Sequence, residues 1–464
     1  MKRLMVISAM PLLLGGCIHL DAKPFDFTCG QLLDAYSETY QATPLFAELQ
    51  RDGGLDECTA DPDGKPRCTD AKPHALDGAA FPMSDPIIAA LAERRRSPTS
   101  LVAPDEPAKV LMLSGGGSWG AFGAGYLEAL GRNDWTVVTG VSTGALQALF
   151  VAAGDYAALA KAYDIADETD LARSNGLRGF LSKGSQYSIA PLRTKVLAYL
   201  LPTDGSESPL IRMIEPGRPQ LSIAMVEARS GDLKAVHITR MLRVELGGST
   251  PDRAKLERVG QCVAGVALAS SSIPVRLTPI RIDKHSYVDG GVRSSVFDSG
   301  IARRVGSYAA SLAAGKAPHI YVVRNGPTIV FHDAFDKKDP ETAAVDARPD
   351  ILRVGMRGYS TIVNQNELMS IAALRLNYLK GDISVISADG FNAPPDAPAS
   401  QPRQPGPDTP ARPTPCGPRP EALFHAGFMR CLIGWGAWKA KYGPDWIALS
   451  GAAAPAPAPA ITRR

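Results

Sequence analysis

The chain has 464 residues, of which 45% are hydrophobic and 21% charged, with a formal net charge of +3. That balance supplies apolar material for a large core and excludes an intrinsically disordered chain. No concentrated basic block accompanies the small positive charge, which excludes nucleic acid as the main partner.

The first seventeen residues read as an address and not as part of the fold. Lys2 and Arg3 form a positive start, Leu4 to Leu14 an apolar stretch too short to span a bilayer, and Leu14-Gly15-Gly16-Cys17 ends it with small residues before a cysteine. The pattern resembles a bacterial lipoprotein signal, which implies cleavage before Cys17 and lipidation of that cysteine. Acyl chains contribute about 0.8 kcal/mol per buried CH₂, so a multiply acylated Cys17 implies firm membrane anchoring. By the same resemblance, Ile18 in place of an aspartate favours the outer membrane. The alternative is a plain secretory signal with an incidental cysteine. No other segment of the sequence is long and apolar enough to cross a membrane.

Residues 18–103 read as a lead-in of low regularity. Leu32, Leu33, Tyr36 and Tyr40 at helical spacing predict a helix over Gln31 to Gln50, Asp61-Pro62-Asp63-Gly64 a turn, and a short helix follows near Ile87 to Arg96. No chemistry shows here, and the stretch reads as a spacer packed on the surface, or else as a partner or cover for the core.

Residues 104–390 carry the core. Val110 to Leu113 predicts a buried strand, which feeds Ser114-Gly115-Gly116-Gly117-Ser118-Trp119-Gly120 and then a helix over Ala121 to Leu130. A strand, a glycine turn and a helix N-terminus aim backbone amides at an anion. Gly115, Gly117 and Gly120 also have dinucleotide-loop spacing, with Asp134 nearby, but Asp134 precedes the next strand where a ribose-binding acid stands at its end. That next strand, Trp135 to Thr139, leads into Gly140-Val141-Ser142-Thr143-Gly144 and a helix over Ala145 to Gly154. This is the strand-turn-helix setting in which a G-x-S-x-G sequence presents a nucleophilic serine.

Farther on, Ser174 to Ile189 reads as a loop, Pro191 to Leu201 as a helix, and Leu221 to Ala228 with Leu233 to Ile238 as a hairpin. A helix from near Asp252 closes at Ala269-Ser270-Ser271-Ser272-Ile273-Pro274. A second hairpin around Lys284-His285 ends in Asp289-Gly290-Gly291. Ile320 to Val323 and Ile383 to Ser387 read as strands and Ile351 to Leu379 as a long helix. Residues 391–420 hold eleven prolines and read as an extended loop. Leu423, Phe424, Phe428, Leu432, Trp435 and Trp438 give a helical face over Glu421 to Tyr442, within a closing helical segment 421–450 that docks on the core or touches membrane. Residues 451–464 read as a disordered tail.

With Cys17 assigned to lipid, six cysteines remain. Cys58 can pair with Cys68 across a Pro/Gly/Asp-rich loop and Cys416 with Cys431; Cys262, in an apolar helix, reads as a buried free thiol, which leaves Cys29 without a partner.

In order, Gly115 to Gly120, Gly140 to Gly144, Ala269 to Pro274 and Asp289 to Gly291 resemble the motifs of the patatin-like phospholipases, from about Lys109 to Val292. The resemblance implies an α/β, three-layer hydrolase fold with a central mostly parallel sheet flanked by helices. It implies Ser142 as nucleophile, Asp289 as its base and an oxyanion hole among Gly115, Gly116, Gly117 and Ser118. Gly120, Gly140, Gly144, Gly290 and Gly291 support these motifs, and no metal or cofactor is required. The implied substrate is a phospholipid or related lipid ester. Trp119 stands where the family often has Arg or Lys, so an anion-steering side chain is missing from the loop. Two alternatives remain: a Ser-Asp-His triad recruiting His319, His332 or His425, and an idle copy that binds lipid or serves the envelope without catalysis.

Overall fold

The structure, a computed structural model, describes residues 24–40, 59–60, 66–67, 107–176, 180, 184–247, 252–297, 318–328, 351–377, 382–392, 410–417, 419–420, 422–443 and 446–449. The expected lipidation signal with Cys17, the turn at Asp61 to Gly64, the helix near Ile87, the Cys58–Cys68 pair, His332, most of the proline-rich loop and the C-terminal tail lie outside these residues.

One sheet of eleven strands organises the chain. In chain order its strands are β1 (Phe25–Phe27), β2 (Ser37–Tyr40), β3 (Lys109–Leu113), β4 (Val137–Val141), β5 (Gln220–Glu227), β6 (Leu233–His237), β7 (Ile280–Ile282), β8 (His285–Asp289), β9 (His319–Val323), β10 (Ile383–Ile386) and β11 (Ile447–Ala448). Among the described residues the helices of five or more residues are α1 (Gln31–Ala35), α2 (Gly120–Leu130), α3 (Thr143–Ala153), α4 (Tyr156–Tyr163), α5 (Ala190–Leu200), α6 (Ile238–Leu246), α7 (Arg253–Ser270), α8 (Ile351–Asn377) and α9 (Ala426–Tyr442). The central run β5-β4-β3-β9-β10 is parallel throughout, and the antiparallel pairings lie on its flanks.

Both faces of the central strands are covered, which is why they read as unbroken apolar runs. Leu111 and Leu113 of β3 face one core with α2, α3, α7 and α9, while Val110 and Met112 face a second core with Phe297 and with Leu374 of α8. Strand alternation thus divides the apolar residues between two helical layers and gives the expected three-layer α/β fold. Helix α9 seats on α2 at backbone distance: a Cβ on Gly125 would lie 2.1 Å from Ile433 O, and one on Gly436 2.2 Å from Phe122 O. It starts at Ala426, five residues later than the sequence suggests, where His425 Nδ1 accepts the Phe428 N–H at 3.2 Å.

The register fixes the site. Rungs 220–224 of β5 pair with β4 and rungs 225–227 with β8, while β6 occupies rungs 222–226 along the opposite edge. Strands β4 and β8 therefore share one edge of β5 and run toward each other. Val141 pairs with Ala224 and Asp289 with Met225, on consecutive rungs, so the residue after Val141 meets Asp289 head-on.

Two expectations are corrected near the N-terminus. The helix predicted from Gln31 ends at Ala35, Tyr36 leaves helical geometry, and Ser37–Tyr40 becomes a strand that pairs with β6. Thr39 and Tyr40 suit an edge strand, and pairing outweighs the helical spacing. The second concerns Cys262, which is not a free thiol: it is disulfide-bonded to Cys29, 233 residues away, and ties the stretch before α1 to α7. Cys416 and Cys431 form the pair that their spacing suggests.

Cross-links over longer loops remove more entropy from the unfolded chain. Replacing Cys29 and Cys262 together by alanine is expected to lower unfolding free energy by about 2–5 kcal/mol, and by more than the same change at Cys416 and Cys431, whose separation is 15 residues. Denaturant unfolding measures both; a larger loss at Cys416 and Cys431 contradicts this.

Candidate active site

Ser142 sits at the junction of β4 and α3 with φ 55° and ψ −127°. Such backbone costs a residue with a side chain on the order of 1–3 kcal/mol and persists only where neighbours enforce it. The enforcing contacts are specific. A Cβ on Gly140 would lie 2.4 Å from Gly144 O, and one on Gly144 2.2 Å from Leu113 O, so the turn closes only with glycine at both positions. The Ser142 N–H donates to Ser270 Oγ (2.9 Å), Ser270 Oγ donates to Ala224 O (2.6 Å), and Ser271 Oγ donates to Ser142 O (2.9 Å). Sequence reading singled out the Ala269 to Pro274 segment without a task for its serines. At the end of α7 they hold the strained turn.

The Ser142 hydroxyl donates to Asp289 Oδ2 at 2.6 Å, and Asp289 Oδ1 accepts the Gly291 N–H at 2.7 Å. A Cβ on Gly290 would approach Ala224 O to 2.6 Å, so this turn too is pressed against β5. Both residues are buried. Burial raises the Asp289 pKa to about 6, against the hydrogen bonds from Ser142 and Gly291, which lower it. A carboxylate so placed is ionised at neutral pH and basic enough to take a serine proton.

Beside Ser142, the loop after β3 turns through Gly116 (φ 153°) and Gly117 (φ 57°). The first is packed so tightly that a Cβ would meet Asn325 O at 1.9 Å. The amides of Gly116, Gly117 and Ser118 open a helical turn and have no hydrogen-bond partner among the described residues, so they form a cluster of free donors. Gly115 does not belong to that cluster: its N–H donates to Ser295 O at 3.1 Å. Its part is clearance, since a Cβ there would lie 3.3 Å from Ser142 Cβ.

An amide pair unread in the sequence clamps this loop. Asn325 Nδ2 donates to Ser114 O (2.7 Å) and Gln147 Oε1 (2.9 Å), and Gln147 Nε2 donates to Gly120 O (2.7 Å). Asn325 lies just past the end of a parallel strand, the position where such sheets place functional groups, and that was its only sequence signal. Trp119 packs edge-on against Phe391 (4.8 Å) and Phe428 (5.2 Å). It anchors α9 to the loop instead of steering an anion.

A cavity of about 340 Å³ opens from Ser142 and Gly117 between α3, α4 and α5, with Leu146, Leu149, Phe150, Leu192 and Val196 in its walls. Among the described residues no histidine contacts Ser142 or Asp289. His319 begins β9, at the sheet end opposite Ser142, where it bonds Ser384 Oγ (2.8 Å) and stacks on Tyr321. His425 caps α9. Asp134 pairs with Lys109 and Arg132 at that same far end and is unavailable to a ribose.

Residues 111–297 match the family model described as patatin-like phospholipase. No curated protein matches the chain. Among solved structures it is similar to VipD from Legionella pneumophila, with 17% identity and a TM-score of 0.29 over 53% of this chain and 54% of that one. The chain thus spans about half the length of that structure.

Modification of Ser142 by a serine-reactive electrophile is expected to rise with pH along a single limb with its midpoint near pH 6. Stability moves the other way. The folded pKa lies above the unfolded value of about 3.9, so folded protein binds the extra proton between those values and loses stability as pH rises through them. The Asp289→Asn variant should therefore gain stability relative to the parent between about pH 4 and pH 7. A labelling midpoint at the ordinary carboxylate pKa contradicts the buried base.

Proposed function

We propose that this protein, whose residues 111–297 match the patatin-like phospholipase model, is a lipid acyl hydrolase cleaving carboxylic esters of phospholipids or related lipids through Ser142, Asp289 and an acyl-enzyme. The observation that carries the reading is the 2.6 Å contact between Ser142 Oγ and Asp289 Oδ2 at the head of an apolar cavity.

Ser142 Oγ attacks the ester carbonyl carbon as Asp289 takes its proton, and the carbonyl π bond becomes an oxyanion. The amides of Gly116, Gly117 and Ser118 receive that charge; losing one such donor typically costs about 2.7–4 kcal/mol of transition-state stabilisation. Collapse breaks the C–O bond to the alcohol, which leaves with the proton from Asp289 and an acyl-Ser142 ester behind. Water, deprotonated by Asp289, attacks that ester; Ser142 regains its proton and the fatty acid departs. General-base help of this kind contributes about 10²- to 10⁴-fold. The cavity walls receive the acyl chain, whose transfer from water adds about 0.8 kcal/mol per methylene.

The proposal extends to location. The signal-like start and Cys17 support an exported lipoprotein anchored in the outer membrane, and two disulfides among the described residues suit an oxidising compartment. An idle lipid-binding copy is the competing reading, and the strained, hydrogen-bonded serine speaks against it.

A fluorophosphonate is expected to label the parent protein and not Ser142→Ala; equal labelling of both removes the nucleophile. His319→Ala should keep most ester hydrolysis while Asp289→Asn loses at least about 10²-fold, and the reverse pattern would restore a triad. Cys17→Ser should shift the protein from the membrane fraction to the soluble one; unchanged fractionation rejects the anchor.

A further inference from the structure

The cavity beside Ser142 has two distinguishable ends. The longest part of its lining runs along α3 from Ser142 and Thr143 to Leu149 and Phe150, backwards along α4 from Tyr163 to Ala158, and along α5 from Leu192 to Tyr199, with Ile273, Leu277, Phe424 and Met429 completing the walls. The Tyr163 hydroxyl donates to Thr143 O at 3.0 Å, which places the end of α4 at the nucleophile. Phe150 and Tyr199 stack with ring centroids 4.1 Å apart, which joins the far ends of α3 and α5. The void is therefore a groove along α3 with Ser142 at its head and an aromatic pair at its foot.

What lies behind the foot is polar. The Tyr199 phenol feels the charges of Asp155 and Arg212, which pair at 3.0 Å. An alkyl chain pushed past the rings would strip water from that ion pair, a desolvation that hydrocarbon cannot offset. Exposed Lys161 and Lys195 border the groove from α4 and α5, so their alkyl stems form walls and their ammonium groups make a sideways exit unfavourable for a chain. At about 340 Å³ the groove is near the lower end of ligand cavities and suits one chain.

Its length follows from the helix. From Ser142 to Phe150 is eight residues, about 12 Å at the α-helical rise. An extended chain advances roughly 1.2 Å per bond, as extended backbone does over three bonds per residue. About ten carbons fit between the acyl carbonyl and the ring pair.

We propose that the groove along α3 is a ruler for a single acyl chain of about ten carbons, with the Phe150–Tyr199 stack as its stop, so that esters of medium-chain fatty acids are the preferred substrates. This rests on the hydrolase reading above. Every methylene that enters the groove raises kcat/KM about fourfold, equivalent to about 0.8 kcal/mol, and methylenes beyond the stop add nothing.

The test is a series of 4-nitrophenyl esters from butanoyl to hexadecanoyl, hydrolysed by the full chain. A rise that breaks at about decanoyl supports the ruler. Phe150→Ala should move the break to longer chains. Leu146→Trp, placed one turn below Ser142, should move it to about half the length and lower the decanoyl-to-butanoyl ratio of kcat/KM by at least about tenfold. Thermal melting identifies any variant that has failed to fold, and the break in the parent series together with the remaining variant then decides. A profile that climbs through hexadecanoyl, or a break that neither substitution moves, overturns the ruler and leaves the hydrolase reading standing. Absence of hydrolysis of every ester by the parent overturns both.

Discussion

The hydrogen bond between Ser142 and Asp289 forms because two strands run toward each other along one edge of β5. Val141 ends one of them opposite Ala224 and Asp289 ends the other opposite Met225, so a contact across 147 residues of sequence becomes a contact between neighbouring rungs. Neither partner needs a flexible loop to reach the other. A site built from strand ends is held as rigidly as the sheet, which the proposed chemistry requires of a base that must stay within hydrogen-bond reach.

That rigidity carries costs, and the surrounding structure offsets them. Ser142 adopts strained backbone, and Ser270 with Ser271 at the end of α7, Gly140 of β4 and Gly144 of α3 hold it there. Asp289 loses water, and the same burial that makes its charge expensive makes it a better base. The glycine loop bends away from ordinary backbone, and the Asn325–Gln147 amide pair and the Trp119 contacts fix it beside the serine. Remote pieces of chain thus converge on one turn. Even the N-terminal stretch takes part, since the Cys29–Cys262 disulfide ties it to the helix whose end grips Ser142.

Much of this was legible in the sequence because it rests on local rules. Buried parallel strands read as apolar runs, and turns that admit no Cβ read as glycines; Gly116, Gly140 and Gly144 were found this way. The failures share a cause of the opposite kind. Whether Gly115 offers its amide depends on Ser295, far along the chain, and the partner of Cys262 lies 233 residues away. The helical spacing of Leu32, Leu33, Tyr36 and Tyr40 gave way to a strand because β6 presented an edge to pair with. Asn325 and Gln147 carry no motif; only their meeting in space gives them a task.

The proposed covalent step is the center of the functional account and admits a direct observation. Mixing the protein with a decanoyl ester, quenching in acid and sequencing peptides by mass spectrometry should reveal one decanoyl group on the peptide bearing Ser142, attached at that serine. The Ser142→Ala protein should carry none and hydrolyse nothing. Hydrolysis that persists in Ser142→Ala, or a decanoyl group attached elsewhere in the parent, would contradict it.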